Sequence, residues 1–269
     1  DEGRDALVVR EMVRGEHFPL VGPPTSVGNI YLGPLYYYMM YVPMKIFNLN
    51  PVSAAAMSAT LGVLTVSLIY YLGKVWFGRT SGLIASFLYA ISPVTISYSN
   101  FSWNPNPLPF FALLTIFGIQ KLHKSGNFMW LILSGVSLGA SLQMHYLALI
   151  LIPIIAILWV YEIFLRKREQ KPIKNLFLGT FLAVASFLIV MSPLVWFDLR
   201  HNFLNYRAIT SLSKTNAVEI NLVENFQKVL KLFINNLVGR YMTGQNIYLT
   251  AVVGVLIIFS LMRRSWEVK

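Results

Sequence analysis

The residues best placed for acid–base chemistry stand at the start of the sequence. The chain has eleven acidic residues, and five of them lie within residues 1–16. Asp1 and Glu2 are adjacent, and Asp5 follows about one helical turn later. A carboxylate can act as a general base toward a hydroxyl group. It can equally favour the dipole at a helix N-terminus, an effect worth about 0.3–1 kcal/mol. The residue types alone leave both roles open.

The residues that follow predict the element that would position these carboxylates. Ala6, Val9, Met12 and Val13 recur at helical spacing, and Gly15 is a typical helix-ending residue. We therefore expect a short amphipathic helix whose apolar face packs against the rest of the chain.

The composition identifies the rest of the chain as a membrane body. Of its 269 residues, 56% are hydrophobic and 12% are charged, and the mean hydropathy is +0.59. A soluble domain is usually about 25% charged, and the excess of apolar residues here falls in repeated long runs. These features predict a polytopic membrane protein. The absence of cysteine excludes disulfides, thiolate zinc sites and a thiol nucleophile.

The net charge of +11 has two readings, a nucleic-acid partner or basic cytoplasmic loops. Lys and Arg cluster between the apolar runs and not on one soluble face. This pattern favours basic cytoplasmic loops and argues against a nucleic-acid partner. The sequence begins on a charged pair without Met. We expect a fragment that lacks at least one span ahead of Asp1.

The pattern along the chain predicts seven spans and one helix that does not cross. Residues 17–29 are polar and rich in Pro and Gly and predict a loop. Residues 30–47 hold four tyrosines within six positions, which suits the headgroup region, so an interfacial or re-entrant helix is expected. The predicted spans are 52–72, 83–98, 107–122, 128–142, 146–165, 176–197 and 247–262.

These elements divide the chain into four predicted segments. Residues 1–47 form an outer loop with the acidic and the aromatic helix, and residues 52–197 form the transmembrane bundle. Residues 198–246 form a second outer loop with an amphipathic helix, in which Ile220, Val223, Phe226 and Leu230 recur at helical spacing. Residues 247–269 form the last span and a cytoplasmic end.

The basic turns predict the orientation of the bundle. The basic stretches 74–79, 121–127, 166–174 and 263–269 fall on one side if the spans alternate. By the positive-inside rule that side is cytoplasmic. The acidic helix, the loop 99–106 and the hairpin at His145 then share the outer face. We expect an integral protein of the cell membrane, or of the endoplasmic reticulum in a eukaryote.

Several short motifs, taken in order on this topology, carry a resemblance to a known family. They are Asp1-Glu2, Arg10-Glu11-Met12, Gly33-Pro34-Leu35-Tyr36-Tyr37-Tyr38, Lys74-Val75-Trp76-Phe77-Gly78-Arg79, Ser92-Pro93, Pro107-Leu108-Pro109-Phe110-Phe111 and Asp198-Leu199-Arg200-His201-Asn202-Phe203. The chain from residue 1 to about 203 resembles the membrane glycosyltransferases of the GT-C type. It is most similar to glycosyltransferase family 39, which includes the protein O-mannosyltransferases and the lipid A aminoarabinose transferases.

The resemblance implies an all-α, GT-C-like helical bundle with outer juxtamembrane helices. It implies inverting transfer of a hexosyl or pentosyl group from a polyprenyl-phosphate sugar to a hydroxyl or phosphate acceptor on the outer or lumenal face. Asp1 inherits the role of catalytic base, and Glu2 a supporting one. The implied partners are membrane lipid, the polyprenyl-phosphate sugar and a glycan, lipid or protein acceptor. No cofactor is certain.

Such a transfer also needs cations that stabilise the departing lipid phosphate. A protonated His145, in the hairpin between two spans, is one candidate, because ionisable groups at the edge of a span tend to be functional. Arg200 and His201 follow a span directly, and the fork of Arg suits phosphate. Weaker candidates are Tyr206, Arg207, Arg240 and Tyr241. The alternatives are a His bonded to backbone and an Arg that snorkels to headgroups.

The outer loop adds Trp103 and Asn104 as candidate substrate-binding residues. Trp103 could stack on a sugar or anchor the membrane interface. Relatives often carry an Asp in this loop, and the residues here are Asn and Pro. A divalent metal has no support: the acidic stretch that some relatives use is replaced by residues 31–34. His17, His145 and His201 lack ligand-like spacing.

Two other functions compete with the enzyme. A transporter, or a flippase for lipid-linked sugars, should carry polar groups near the midplane and paired repeats. Here Glu162 lies near the cytoplasmic end, and the polar groups crowd one face. A structural membrane subunit would tolerate loss of Asp1. The oligosaccharyltransferase motif Trp-Trp-Asp-Tyr-Gly does not occur in the sequence.

Overall fold

The structure is a computed structural model that describes residues 1–25, 30–215, 227–228, 231–232, 235–236, 239 and 245–255. These residues are almost entirely helical, and the prediction of an all-α membrane protein is confirmed. The named helices are α1 (Glu2–Arg14), α2 (Leu35–Ile46), α3 (Val52–Phe77), α4 (Arg79–Ile91), α5 (Pro93–Ser99), α6 (Leu108–Ser125), α7 (Trp130–Met144), a 3-10 helix (Tyr146–Ile150), α8 (Leu151–Arg168), α9 (Lys174–Arg200) and α10 (Leu204–Thr215).

The predicted acidic helix is confirmed as α1. It ends at Gly15, which adopts a left-handed conformation with φ 76° and donates its N–H to Met12 O at 3.0 Å. Val9 and Met12 lie on its buried face. They pack into a core with Tyr36 and Met40 of α2, so α2 holds α1 against the bundle.

The aromatic helix α2 begins at Leu35 and not at Ile30, so the predicted start is wrong. Residues 30–33 run in irregular conformation, and an isolated antiparallel bridge pairs Pro24 with Tyr31. Pro34 has no N–H to donate, and it serves as the N-cap of α2. With 12 residues, α2 is shorter than the roughly 20 residues of a membrane span. Its length agrees with the prediction that it does not cross.

Three helices within the described residues are long and apolar enough to cross a membrane: α3, the continuous segment Tyr146–Arg168, and α9. The predicted span 83–98 is divided at Ser92 into α4 and α5, which are bent by 60°. Pro93 is the cause, because a proline cannot continue the hydrogen-bond ladder of the preceding helix. If this bent pair is one span, the number rises to four.

Within the described residues, the number of helices that are long and apolar enough to cross a membrane is therefore smaller than the seven predicted spans. The predicted span 107–122 is α6, whose last turn is basic. The predicted span 128–142 is α7, which is apolar but has only 15 residues. Only residues 247–255 of the last predicted span are described, and they are helical. The predicted helix that begins near Ile220 lies mostly outside the described residues.

The bundle packs through small residues. Helix α7 lies between α6 and α9, and α3 packs along α4. A Cβ added to Gly73 of α3 would lie 2.8 Å from Gly82 Cα of α4, so the two backbones approach closely there. Close approach at glycine is typical of helix pairs in membranes.

The bundle has two chemically distinct ends. Lys74, Lys124 and Lys171 line one cavity, which confirms for these three residues that the basic turns share an end; we call it the basic end. Helix α1, the loop 100–107 and His145 lie at the opposite ends of the helices, and we call this the α1 end. Candidate catalytic residues are therefore separated from the main concentration of positive charge.

Candidate active site

Three segments meet at the α1 end through two hydrogen bonds. Glu2 Oε1 accepts a hydrogen bond from the backbone N–H of Ser102 at 3.0 Å. Asn104 Nδ2 donates to the carbonyl oxygen of Met144 at 2.8 Å. The start of α1, the loop 100–107 and the hairpin at His145 are thus held side by side. Asp1, Glu2, Trp103, Asn104 and His145, which the sequence places in three separate segments, belong to one region.

Asp1 is the N-cap residue of α1, but its side chain makes no capping hydrogen bond. Its Oδ1 lies 3.2 Å from Arg4 Nη1, and the side chain is 58% exposed. The carboxylate is therefore accessible to an acceptor, and one cation orients it. Its position at the N-cap also agrees with the alternative role of an acid that favours the helix dipole.

Arg4 joins Asp1 to a buried carboxylate below it. Its Nη2 lies 2.9 Å from Asp5 Oδ1, and Tyr37 Oη donates to the same oxygen at 3.3 Å. Asp5 is fully buried, and within the described part of the chain its Oδ2 has no hydrogen-bond partner. Burial raises the pKa of the Asp5 carboxyl, and the adjacent Arg4 opposes that shift. Arg4 and Tyr37 are not among the predicted site residues, although the Asp1–Asp5 spacing already places both acids near one helical face.

Glu2 fixes the loop that carries Trp103. The backbone N–H of Ser102 donates to Glu2, and the Oγ of Ser102 lies 2.5 Å from Tyr36 Oη in a fully buried contact. Burial raises the pKa of Tyr36, which keeps the phenol protonated. The contact of Glu2 is therefore positional.

The aromatic and amide side chains of the loop are largely engaged within the protein. Trp103 stacks on Tyr98 with ring centroids 5.8 Å apart and on Phe101 at 6.1 Å. Asn104 is buried, and its amide group holds Met144. The predicted contacts of Trp103 and Asn104 with a substrate therefore stay predictions.

His145 is held as a neutral imidazole. Its Nδ1 accepts a hydrogen bond from Leu147 N at 3.2 Å, and its ring lies 4.3 Å from the ring of Tyr146. Burial lowers the pKa of His145. The structure favours the neutral ring over the protonated form expected from the sequence. The Nε2–H group is then the one donor that His145 can offer to a phosphate oxygen.

The remaining candidates form a separate, exposed group after α9. The guanidinium of Arg200 lies 5.8 Å from the ring of Trp196, and His201 Nδ1 lies 2.7 Å from Phe197 O. Arg207 Nη2 donates to His201 O at 3.4 Å. Within the described part of the chain, no hydrogen bond or ion pair joins this group to Asp1 or Glu2.

Tyr206, the last candidate of this group, is 64% exposed. Arg240 and Tyr241 lie outside the described residues. The group therefore offers accessible cations and a phenol on one flank of the α1 end.

Two buried amides connect this group to the rest of the α1 end, and neither is among the predicted site residues. Asn205 bonds the backbone N–H of Tyr31 at 2.8 Å and its carbonyl at 3.2 Å. Gln143 accepts from Leu35 N at 3.0 Å and donates to Val190 O at 2.6 Å. Segment 31–35 is thus clamped between α7, α9 and α10. A lone Gln at the end of an apolar run is the signal that points to such a role.

The described residues contain no group of three or more His, Asp or Glu placed to hold a metal ion.

The comparison with protein families decides what kind of protein carries this site. The family model described as dolichyl-phosphate-mannose-protein mannosyltransferase matches residues 32–197, which is most of the chain. The chain belongs to this mannosyltransferase family. The match runs from the segment before α2 into the last turns of α9 and includes Trp103, Asn104 and His145. Asp1, Glu2 and Arg200 lie outside the matched range.

Membership in this family confirms the resemblance to the GT-C membrane glycosyltransferases that the short motifs carry. One curated relative is YkcB of Bacillus subtilis (strain 168), which is named as a mannosyltransferase. It is 29% identical over 120 residues, which are 43% of this chain and 17% of the relative. The chain thus matches only a small part of that relative. No solved structure matches the chain significantly.

Proposed function

We propose that this mannosyltransferase-family protein transfers a sugar from a polyprenyl phosphate to a hydroxyl or phosphate acceptor, with inversion and with Asp1 as the base. One observation carries the proposal. Asp1 holds an accessible carboxylate that does not cap its own helix and that Arg4 orients at 3.2 Å. Loop 100–107 and the hairpin at His145 lie beside it and form the other walls of the site.

The proposed step has a simple balance of atoms. The acceptor oxygen attacks the anomeric carbon while Asp1 takes the acceptor proton. The bond between the anomeric carbon and the phosphate oxygen breaks, and the polyprenyl phosphate leaves with the bonding electrons. A single displacement of this kind inverts the anomeric configuration. Arg4 stabilises the charged form of Asp1 before the step, since it lies within ion-pair distance.

The departing phosphate needs hydrogen-bond donors and positive charge. The neutral His145 would supply Nε2–H, and Arg200 and Arg207 would supply guanidinium groups from the exposed flank of the α1 end. In this proposal Glu2 positions the loop and does not touch the reacting atoms.

The charge distribution supports an outer or lumenal site. Lysines gather at the basic end, and positive charge marks the cytoplasmic side of membrane proteins. The α1 end would then face outward, where polyprenyl-linked sugars and their acceptors would meet.

The experiment that tests the donor class uses membranes that contain the protein as it occurs in the cell. They receive either a radiolabelled polyprenyl-phosphate mannose or the corresponding nucleotide sugar, and the label in the acceptor fraction is counted. The proposal predicts transfer from the lipid donor, with an inverted linkage by NMR, and none directly from the nucleotide sugar. Transfer from the nucleotide sugar under conditions that block lipid-donor synthesis, or a retained configuration, would refute it.

A further inference from the structure

A cavity at the basic end has no part in the proposed sugar transfer. It encloses about 700 Å³ and lies where α3, α6 and α8 end. Its cationic side chains come from four places in the chain, and they are Lys74, Lys124, Arg166 and Lys171, with His123 beside them. The positive charge that these side chains bring together is neutralised either by carboxylates of the protein or by a bound anion.

The carboxylates that line the cavity are already paired. Glu162 Oε1 lies 2.7 Å from Arg166 Nε, and its Oε2 lies 2.8 Å from His123 Nδ1. Glu169 Oε2 lies 2.6 Å from Lys171 Nζ. Each acid therefore neutralises a neighbour within its own part of the cavity.

Lys74 and Lys124 remain without an anionic partner in the part of the chain that the structure describes. Lys74 comes from the last turn of α3 and Lys124 from the last turn of α6. Two ammonium groups that face one cavity form an attractive site for a phosphate, which Lys binds as a point charge.

An adjoining cavity indicates where the rest of the ligand would lie. It measures about 280 Å³, is bounded almost wholly by hydrocarbon, and includes Leu138, Ile155 and Phe187 among its walls. Glu162 lines both cavities. Trp76, which is 48% exposed, lines the basic cavity, and aromatic side chains favour the headgroup level of a membrane. A charged head beside an apolar chamber favours a lipid over a soluble phosphate.

We propose that the two cavities together bind one anionic phospholipid. Its phosphate lies between Lys74 and Lys124, and an acyl chain enters the apolar cavity. Basic pockets between membrane helices are typical sites for anionic lipid headgroups. This site lies at the opposite end of the bundle from Asp1, and it does not depend on the identity of the transferred sugar.

The test measures lipid binding to the purified full-length protein in detergent by native mass spectrometry. We expect phosphatidylglycerol to bind at least about tenfold more tightly than phosphatidylcholine, and Lys74→Gln with Lys124→Gln to remove that preference. The matched control is Lys167→Gln with Arg168→Gln, which removes the same charge at the same end from residues that do not line the cavity. Size-exclusion profiles show that each variant is folded.

The contribution of the acyl chains is tested separately. Glycerol 1-phosphate has the headgroup without the chains and should fail to displace the lipid at equal concentration. Equal binding of phosphatidylglycerol and phosphatidylcholine to wild type would overturn the site. An equal loss of the preference for phosphatidylglycerol in the two double variants would also overturn it. Displacement by glycerol 1-phosphate would overturn a lipid as its ligand.

Discussion

The carboxylate of Glu2 accepts a hydrogen bond from the backbone N–H of Ser102, which lies a hundred residues further along the chain. This bond closes the α1 end, because it fixes the start of α1 to the loop that carries Trp103. It also separates the roles of the two adjacent acids. Glu2 Oε1 bonds the loop, whereas the carboxylate of Asp1, in a side chain that is 58% exposed, pairs with Arg4.

Replacement of Glu2 by Gln should therefore be mild, and replacement by Ala should loosen the loop 100–107. Gln keeps a carbonyl oxygen that can accept the Ser102 N–H, whereas Ala leaves that donor unpaired at a cost of about 1–3 kcal/mol. Hydrogen–deuterium exchange of peptides from 100–107 measures the difference. Equal protection in the Ala variant and in wild type would contradict the positional role of Glu2.

Asp5 should make stability depend on pH in a characteristic direction. Burial raises its folded-state pKa above the ordinary value of 3.8, so the folded protein keeps this proton at pH values where the unfolded chain has lost it. Stability from this group is present below the ordinary pKa and declines as the pH rises toward the raised value. Asn mimics the protonated form, so the unfolding midpoint of Asp5→Asn should improve relative to wild type as the pH rises from about 4 to 7.

Thermal unfolding in detergent at a series of pH values measures this difference. Glu16→Gln is the control, because Glu16 is an exposed acid in the same segment and should show no such trend. A difference between Asp5→Asn and wild type that shrinks with rising pH would contradict the direction of the pKa shift.

Substitution of Gln143 should lower the free energy of unfolding more than substitution of most other polar residues of α7. It bonds both Leu35 N and Val190 O, and it is almost fully buried. Leu in its place keeps the volume but leaves the Leu35 N–H unpaired, which should cost about 1–3 kcal/mol of unfolding free energy. Ser137 is the matched control on the same helix, because its buried hydroxyl has no hydrogen-bond partner among the described residues. Ser137→Ala should be neutral or stabilising, and equal effects of the two substitutions would contradict the clamp.

The sequence predicts those features that depend on local chemistry. The apolar spacing of α1 and its end at Gly15 follow from about a dozen neighbouring residues. Pro93 breaks its predicted span regardless of which helices pack against it. The start of α2 is missed because the bridge between Pro24 and Tyr31 competes with helix in this segment. The periodicity of residues along one helix does not show that part of the segment pairs with another part of the chain.

The links that assemble the site are the part that the sequence does not reveal. Gln143 bonds a residue 108 positions away, and Asn205 bonds one 174 positions away. Nothing in the neighbourhood of either residue specifies its partner. The direction of the His145 pKa shift is likewise not visible in the sequence, since burial by the tertiary fold lowers that pKa. The candidate acids, in contrast, are visible because acidic residues are rare elsewhere in the chain.

The measurement that bears most directly on the proposed mechanism compares sugar transfer by wild type and by Asp1→Asn in membranes with matched protein levels. A general base contributes about 10²–10⁴-fold to the rate, so Asp1→Asn should lower transfer from the polyprenyl-phosphate donor by at least about a hundredfold. Glu16→Gln, which removes one exposed carboxylate from the same segment, should transfer at the wild-type rate. Equal rates for Asp1→Asn and wild type would show that Asp1 is not the base.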